Sequence, residues 1–279
     1  MPTVHLPKVY VDVGASIGEF SLHLLSRDPT ARVYAVEPNS AYCEDFLMSI
    51  QKPNLGRMFI EFSALAKNSG SAIFYGSKVL GGNIGSLKKI NPEKLWDDYL
   101  ENHLDKDVLN QEIIVNTISV KEFIDRYNLS RIDFLKIDAQ GSDLEILELF
   151  LSEIPVLCSV VEVNTLSSND ENIYVSNNNF DQLVKLIYKF DLKILKIVPN
   201  SDFTELNVFL AKNKEEGSKL LIDLDLKNSI TFQRGWQVKI LNSNINLRKV
   251  ILLEILKNFI YFFTHPIALC NAITRKMMK

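Results

Sequence analysis

Cysteine is scarce in this 279-residue chain. Cys43, Cys158 and Cys270 are its three cysteines, an odd number without a C-x-x-C pair. That excludes a disulfide framework and a thiolate zinc site, and it points to a reducing, cytosolic setting. Histidine is also scarce. His5, His23, His103 and His265 never fall four residues apart, and no H-x-x-E-H run occurs, so no metal site is expected. Glycine (11) and proline (9) are too few for a collagen-like or linker-like chain. No uncharged apolar run reaches the roughly 18–20 residues of a membrane-spanning helix; the richest stretch, 250–264, carries Glu254 and Lys257. The opening MPTVHLPKVYVDVG lacks the basic-then-apolar order of a secretory signal, so none is expected. A Walker A loop and a kinase signature set are likewise missing.

What is present reads as a folded chain of one to two domains, with 47% hydrophobic and 23% charged residues. The net charge of −3 is unevenly spread. Residues 214–279 hold 11 Lys/Arg against 5 Asp/Glu, so residues 1–213 are strongly acidic. The expected organisation is an acidic folded domain over 1–213 and a basic, partly amphipathic extension over 214–279. An acidic main domain argues against general nucleic-acid binding.

Short apolar strands alternate with amphipathic segments along the first 213 residues. Strands are expected at 8–13, 32–37, 58–64, 71–75, 112–118, 132–138, 156–164, 192–198 and 206–212, the last two as an antiparallel hairpin at the sheet edge. Helices are expected at 17–25, from a Ser40 cap to about 50, at 92–103, 120–127, 180–190, and from a Ser142/Glu145 capping box through Phe150. Such alternation implies a doubly wound α/β fold with a mostly parallel sheet and helices on both faces. Ligands of such folds bind beyond the carboxyl ends of the strands, which groups Gly14–Gly18, Glu37, Ala64, Asp138 and Glu162 on one rim.

The turn after the first strand reads Asp12-Val-Gly14-Ala-Ser16-Ile-Gly18. Glycine permits a tight turn and a close ligand approach, and free N–H groups at the helix start are expected to face that ligand. Glu37 ends the second strand, where a carboxylate can accept hydrogen bonds from both ribose hydroxyls of a nucleoside. A dinucleotide and S-adenosylmethionine both fit this pattern. The glycine at which a pyrophosphate would approach is absent, and Asp12 would repel one. The same carboxylate suits the cationic methionine end of S-adenosylmethionine.

VDVGASIGEFSL, AVEPN, SALAKNSGSAIFY, VKEFID and IDFLKIDAQGSDLEIL follow one another at suitable spacings. Together they resemble the FkbM-type family of S-adenosylmethionine-dependent methyltransferases over about residues 8–213, the KID-x-[EQ]-G element being the most specific. The resemblance implies a Rossmann-like class I methyltransferase sheet with one antiparallel edge strand, and O-methylation, often of sugar or polyketide hydroxyls. It also implies adenine contacts at Ala64 and Leu65. Ser16 stands where the family more often has Asn.

The expected donor-binding residues are therefore Asp12, Gly14, Ser16, Gly18, Glu37, Ala64 and Asp138. Methyl transfer needs an aligned nucleophile, and a hydroxyl gains from a general base. Asp138, at the end of the fourth parallel strand, and Glu162, near the end of the next, are the candidate catalytic groups. Lys136 shares a face with Asp138 and needs a partner if buried, either Asp138 or Glu162. The expected acceptor is a small-molecule or glycan hydroxyl. A scaffold that retains the fold and an NAD-dependent oxidoreductase are the alternatives. The segment 248–264 carries a wide apolar arc with a narrow polar stripe. Packing on its own domain, a homodimer contact through 248–279, and a peripheral membrane surface all remain open for it.

Overall fold

A computed structural model of the chain describes residues 7–50, 54–76, 85–89, 111–164, 178–199 and 205–226. The chain divides into two compact units, 1–237 and 238–279, and every described residue lies in the first. The helix expected at 92–103, most of the loop at 165–179 and everything expected after 226 lie outside the described residues.

Ten strands form two sheets: β1 (Val9–Val13), β2 (Arg32–Val36), β3 (Met58–Glu61), β4 (Ala64–Ala66), β5 (Gly70–Tyr75), β6 (Glu112–Ser119), β7 (Ile132–Ile137), β8 (Val156–Asn164), β9 (Lys193–Pro199) and β10 (Glu205–Ala211). Seven make the main sheet, in the order β3-β2-β1-β7-β8-β10-β9. The five from β3 to β8 run parallel, and β10 runs antiparallel to both its neighbours. The antiparallel strand therefore sits one place in from the edge, and β9 closes the sheet. β7 is buried at all six positions, as a central parallel strand covered on both faces must be. β1 pairs with both β2 and β7, so the strand order reverses there and opens a crevice beyond the carboxyl ends of β1 and β7.

The run expected as one strand at 58–64 is two strands in two sheets. β3 ends at Glu61, and Ala64–Ala66 joins a separate sheet of three strands ordered β4-β6-β5. The break follows the hydrogen bonds. Glu61 O accepts the Glu37 amide, and its carboxylate is held by Ser63 Oγ and Arg126, which turns the chain out of the first sheet.

Six helices are described: α1 (Glu19–Arg27), α2 (Ser40–Ser49), α3 (Val120–Arg126), α4 (Asp143–Glu153), α5 (Phe180–Phe190) and α6 (Lys214–Asp223). Ser40 is the first helical residue of α2 rather than its cap; the Asn39 carbonyl receives the Tyr42 and Cys43 amides. An S-x-x-E signature opens both α3 and α4, and of these two only the one at Ser119 works as a side-chain cap, with Oγ accepting from Glu122 N at 3.1 Å. Ser142 makes no such bond, because its φ of −107° and ψ of 6° lie outside the extended N-cap geometry. The neighbouring Asp143 carboxylate instead accepts the Ala139 and Gly141 amides at 3.2 and 3.1 Å.

The start of the expected extension forms α6 rather than lying apart from the domain. Asn213 caps it by accepting from Glu215 N and Glu216 N at 2.9 and 3.2 Å. Leu220, Leu221, Leu224 and Leu226 join one buried cluster with Tyr10, Phe134, Val160 and Phe209. The folded domain thus runs past 213, at least to Leu226. On the main sheet's other face, Phe123 of α3 and Phe150 of α4 meet edge-on at 6.1 Å.

Leu224→Ala removes a fully buried side chain and is expected to destabilise the domain by about 2–5 kcal/mol. In urea titration the midpoint should fall with the slope unchanged. An unmoved midpoint would mean that α6 lies outside the cooperative core.

Candidate active site

The crevice at the strand reversal is a cavity of about 680 Å³. Its wall includes Gly14, Ser16, Glu19, Phe20, His23, Glu37, Ala64, Leu65, Phe74, Leu87, Lys136, Asp138 and Gln140. Of the seven residues expected to bind a donor, Gly14, Ser16, Glu37, Ala64 and Asp138 line it. Asp12 and Gly18 do not.

The turn after β1 is built by two left-handed glycines. Gly14 has φ 71°, and a Cβ there would sit 1.9 Å from the Asp138 carbonyl, so only glycine lets the β1 and β7 ends meet this closely. Gly18 has φ 83°, and a Cβ would strike the Phe46 ring at 2.0 Å; it sets α1 against α2 and has no place on the cavity wall. Ser16 also adopts a left-handed conformation, φ 51°, where Asn is strongly enriched, which gives the family's more frequent residue a backbone reason.

Four amides of this turn are held within the protein. Gly14 N and Ala15 N both donate to the Val36 carbonyl, Ser16 N to Glu37 Oε2, and Gly18 N to the Ala15 carbonyl. A phosphate cradle needs those donors for its ligand, so this turn does not make one.

Asp12 is 0% exposed and lies beneath the turn. Its Oδ2 accepts from Ser21 Oγ of α1 at 2.7 Å. Its Oδ1 lies 3.1 Å from Lys136 Nζ, an ion pair outside hydrogen-bond geometry, so its compensation is coulombic. The expectation that Asp12 meets the ligand fails because β1 points it into the sheet's covered face. Lys136 is equally buried. Its ammonium also donates to the Gly14 carbonyl at 3.1 Å and lies 3.6 Å from Asp138 Oδ2. Burial opposes its charge, but the Asp12 and Asp138 carboxylates outweigh that and hold the ammonium above its usual range.

Asp138 differs from its neighbours in being one-third exposed, with Oδ1 held by Gln140 Nε2 at 2.7 Å. It is the carboxylate presented to the cavity from β7. Glu162 does not line the cavity. Its carboxyl is pushed well above the ordinary range by burial and by the Glu205, Asp138 and Asp143 carboxylates. Asp143 is likewise raised by burial, to about 7.

Glu37 is 5% exposed. Its Oε2 accepts from Ser16 N and its Oε1 from Asn39 N, both at 2.8 Å. Burial pushes the carboxyl up to about 7, against those two bonds and the Lys136 charge, which favour the ionised form. A carboxylate has about four acceptor positions, so two remain for a ligand. Ala64, Leu65, Phe74 and Leu87 add an apolar wall, to which the three-stranded sheet contributes Ala64, Leu65 and Phe74. Phe20, His23, Phe74 and Leu87 were not singled out in the sequence. Phe20 and His23 stand one helical turn apart on α1, which was a readable signal; Phe74 and Leu87 reach the cavity only through tertiary pairing.

Among the described lining residues, Glu19, Glu37 and Asp138 face the single ammonium of Lys136. Such a cavity favours a ligand carrying positive charge and disfavours a pyrophosphate. A Rossmann-like sheet with an acid at the end of β2, an apolar wall and an acidic far end suits a nucleoside ligand that carries positive charge. Residues 12–219 match the family model described as the methyltransferase FkbM domain, and the chain belongs to that family. Methyltransferase 1 of Beauveria bassiana (strain ARSEF 2860) is 25% identical over 142 residues, 49% of this chain and 56% of that protein. The matched segment thus spans little more than half of that relative's length. Among solved structures, M. capricolum TrmK in complex with S-adenosyl-homocysteine aligns with TM-score 0.42 and 15% identity, covering 76% of this chain and 65% of that one. Aeropyrum pernix fibrillarin with natively bound S-adenosyl-L-methionine aligns with TM-score 0.39 and 14% identity, covering 76% and 69%.

The residues present fit that cofactor. Glu37 has the acceptor capacity for its ribose, the apolar wall suits its base, and the volume lies within the roughly 300–1,000 Å³ of small-ligand sites. Among the described residues no cluster suited to a metal ion occurs, and no helix is long and apolar enough to cross a membrane.

Donor binding is expected to depend on pH through Glu37. In the ligand-free chain the raised carboxyl contributes stability that is present below the ordinary carboxyl range and is lost as pH rises through about 7. Ribose hydroxyls bond to the ionised form, so binding releases a proton. Affinity for S-adenosylhomocysteine is expected to fall by about tenfold per pH unit below 7. Calorimetry in buffers of different ionisation enthalpy checks this, and Glu37→Gln should bind weakly with no pH slope. A flat profile in the unaltered chain would remove Glu37 from the site.

Proposed function

We propose that this chain transfers a methyl group to a hydroxyl of a saccharide or glycoconjugate. The observation that carries the reading is Asp138, a carboxylate half-fixed by the protein and opening into the cavity. The bound donor would supply a methyl group on a cationic sulfur. The remaining work falls to side chains of this protein. Glu37 and the Ala64–Leu65–Phe74 wall would orient the nucleoside. Asp138 would orient the acceptor hydroxyl and take its proton, since a neutral hydroxyl is a weak nucleophile. Lys136 and Asp12 hold the strand end in place and keep the ammonium tied down. The saccharide is supported by what the family resemblance implies and by polar Gln140 and Ser142 beside Asp138 on the wall. A cytosolic setting agrees with Cys43 and Cys158, both buried and unpaired.

The test is a screen of hydroxylated acceptors, free and lipid-linked saccharides included, read as a mass gain of one methyl group. With an accepted saccharide, Asp138→Asn should lower turnover by about 100-fold or more while binding of S-adenosylhomocysteine changes little. Methylation of an amine instead, or full turnover by Asp138→Asn, would sink the reading.

A further inference from the structure

Asp138 is useful to the reaction only if its carboxylate is held at one angle. Gln140 Nε2 fixes Oδ1 at 2.7 Å, and the Lys136 ammonium lies 3.6 Å from Oδ2. Gln140 makes its bond from an unusual backbone, φ 50°. A left-handed non-glycine residue is strained and persists only where its surroundings over-determine it. Here the peptide that follows Gln140 is pinned at both its carbonyl and its amide. The Ala139 and Gly141 amides donate to Asp143, and the Gln140 carbonyl accepts from Ser86 Oγ at 2.5 Å.

The last tie comes from outside the β7–α4 turn. Ser86 is 1% exposed and is bridged to the end of β5, its amide donating to the Tyr75 carbonyl at 2.9 Å and its carbonyl accepting from Tyr75 N at 2.8 Å. Its hydroxyl also accepts the Lys88 amide at 2.8 Å. With that lone pair used, the single hydroxyl proton is directed at Gln140. The segment around it touches the cavity as well, through Gly85 and Leu87.

We propose that Ser86 is a positioning residue for methyl transfer: it holds the Gln140 peptide, and through Gln140 it fixes the Asp138 carboxylate against the cavity. The inference rests on the reading of Asp138 given above. It makes the three-stranded sheet a support for the reacting end of the site as well as a wall for the base.

The test compares the full chain with Ser86→Ala, Ser86→Thr, Gln140→Leu and Asp138→Asn, without any acceptor. Calorimetry gives each protein's affinity for S-adenosylmethionine, a cation at sulfur, and for S-adenosylhomocysteine, which is neutral there. A fixed Asp138 carboxylate favours the cation. The ratio of the two affinities is expected to drop by about fivefold or more in Asp138→Asn and by about threefold in Ser86→Ala and Gln140→Leu. Ser86→Thr, which keeps the hydroxyl, should restore it. A purely structural loss weakens both ligands together and leaves the ratio alone. The Gln140 side-chain amide signal, assigned by its loss in Gln140→Leu, should show protection from exchange that Ser86→Ala removes.

An unchanged ratio in Ser86→Ala or in Gln140→Leu, beside a changed one in Asp138→Asn, overturns the relay. Gln140→Leu decides alone should Ser86→Ala fail to fold. A ratio unmoved by Asp138→Asn overturns the placement of Asp138 at the sulfur. If the unaltered chain binds neither ligand, the methyl-donor reading fails, and the amide exchange by itself decides whether Ser86 holds Gln140.

Discussion

Lys136 is buried in the middle of the main sheet, and its ammonium must be compensated where it lies. Removing a partner from a buried ion pair costs about 3–5 kcal/mol. Compensation comes from three directions: Asp12 on β1, Asp138 two residues along β7, and the Gly14 carbonyl. Each partner carries a further element with it. Asp12 grips Ser21 and so docks α1, while Gly14 brings its turn against the Asp138 carbonyl. The β1 and β7 ends, the first helix and the Asp138 carboxylate are thereby held by a single charge.

The same charge balance selects the ligand. A turn with Gly14 and Gly18 after a strand resembles a phosphate loop, but its amides are spent on Val36, Glu37 and Ala15. With the donors occupied and Glu19, Glu37 and Asp138 around one lysine, negative ligands have little to bind to and a sulfonium has several partners. The class of the fold and the class of the cofactor therefore follow from one set of hydrogen bonds. Glu37 does two things in it. It clamps the turn through Ser16 and Asn39, and it keeps acceptor capacity toward the cavity.

The second, three-stranded sheet is the less regular part of the architecture, and it bears on the site twice. Ala64, Leu65 and Phe74 give the apolar wall, and Ser86 at the end of β5 reaches the Gln140 peptide. A small sheet with few buried residues of its own is thus joined to the central one at the place where a reaction would occur.

Much of this was readable in the sequence, because local chemistry dictates it. Period-two runs such as IDFLKI fix strands, G-x-S-x-G between a strand and a helix fixes a turn, and an acid at the next strand end puts a carboxylate on the cavity wall. Gly14, Ser16, Glu37, Ala64 and Asp138 were legible for that reason. Other features were decided by contacts distant in the chain. Asp12 looked like a ligand group until β1 turned it toward Lys136, 124 residues away. Ser142 and Ser119 carry the same capping signature, and only the tertiary placement of Asp143 distinguishes them. MFIEFSALA reads as one strand, but the bonds at Glu61 split it between two sheets. Residues 214–226 look polar enough for a linker, yet four leucines find a common core. By itself the sequence determined the order of elements, the turn and the acids at the strand ends, since these depend on neighbours within a few residues. Which carboxylate faces the ligand and which is buried as a counter-ion was decided only by the tertiary structure, because burial is a property of what packs on a strand and not of the strand.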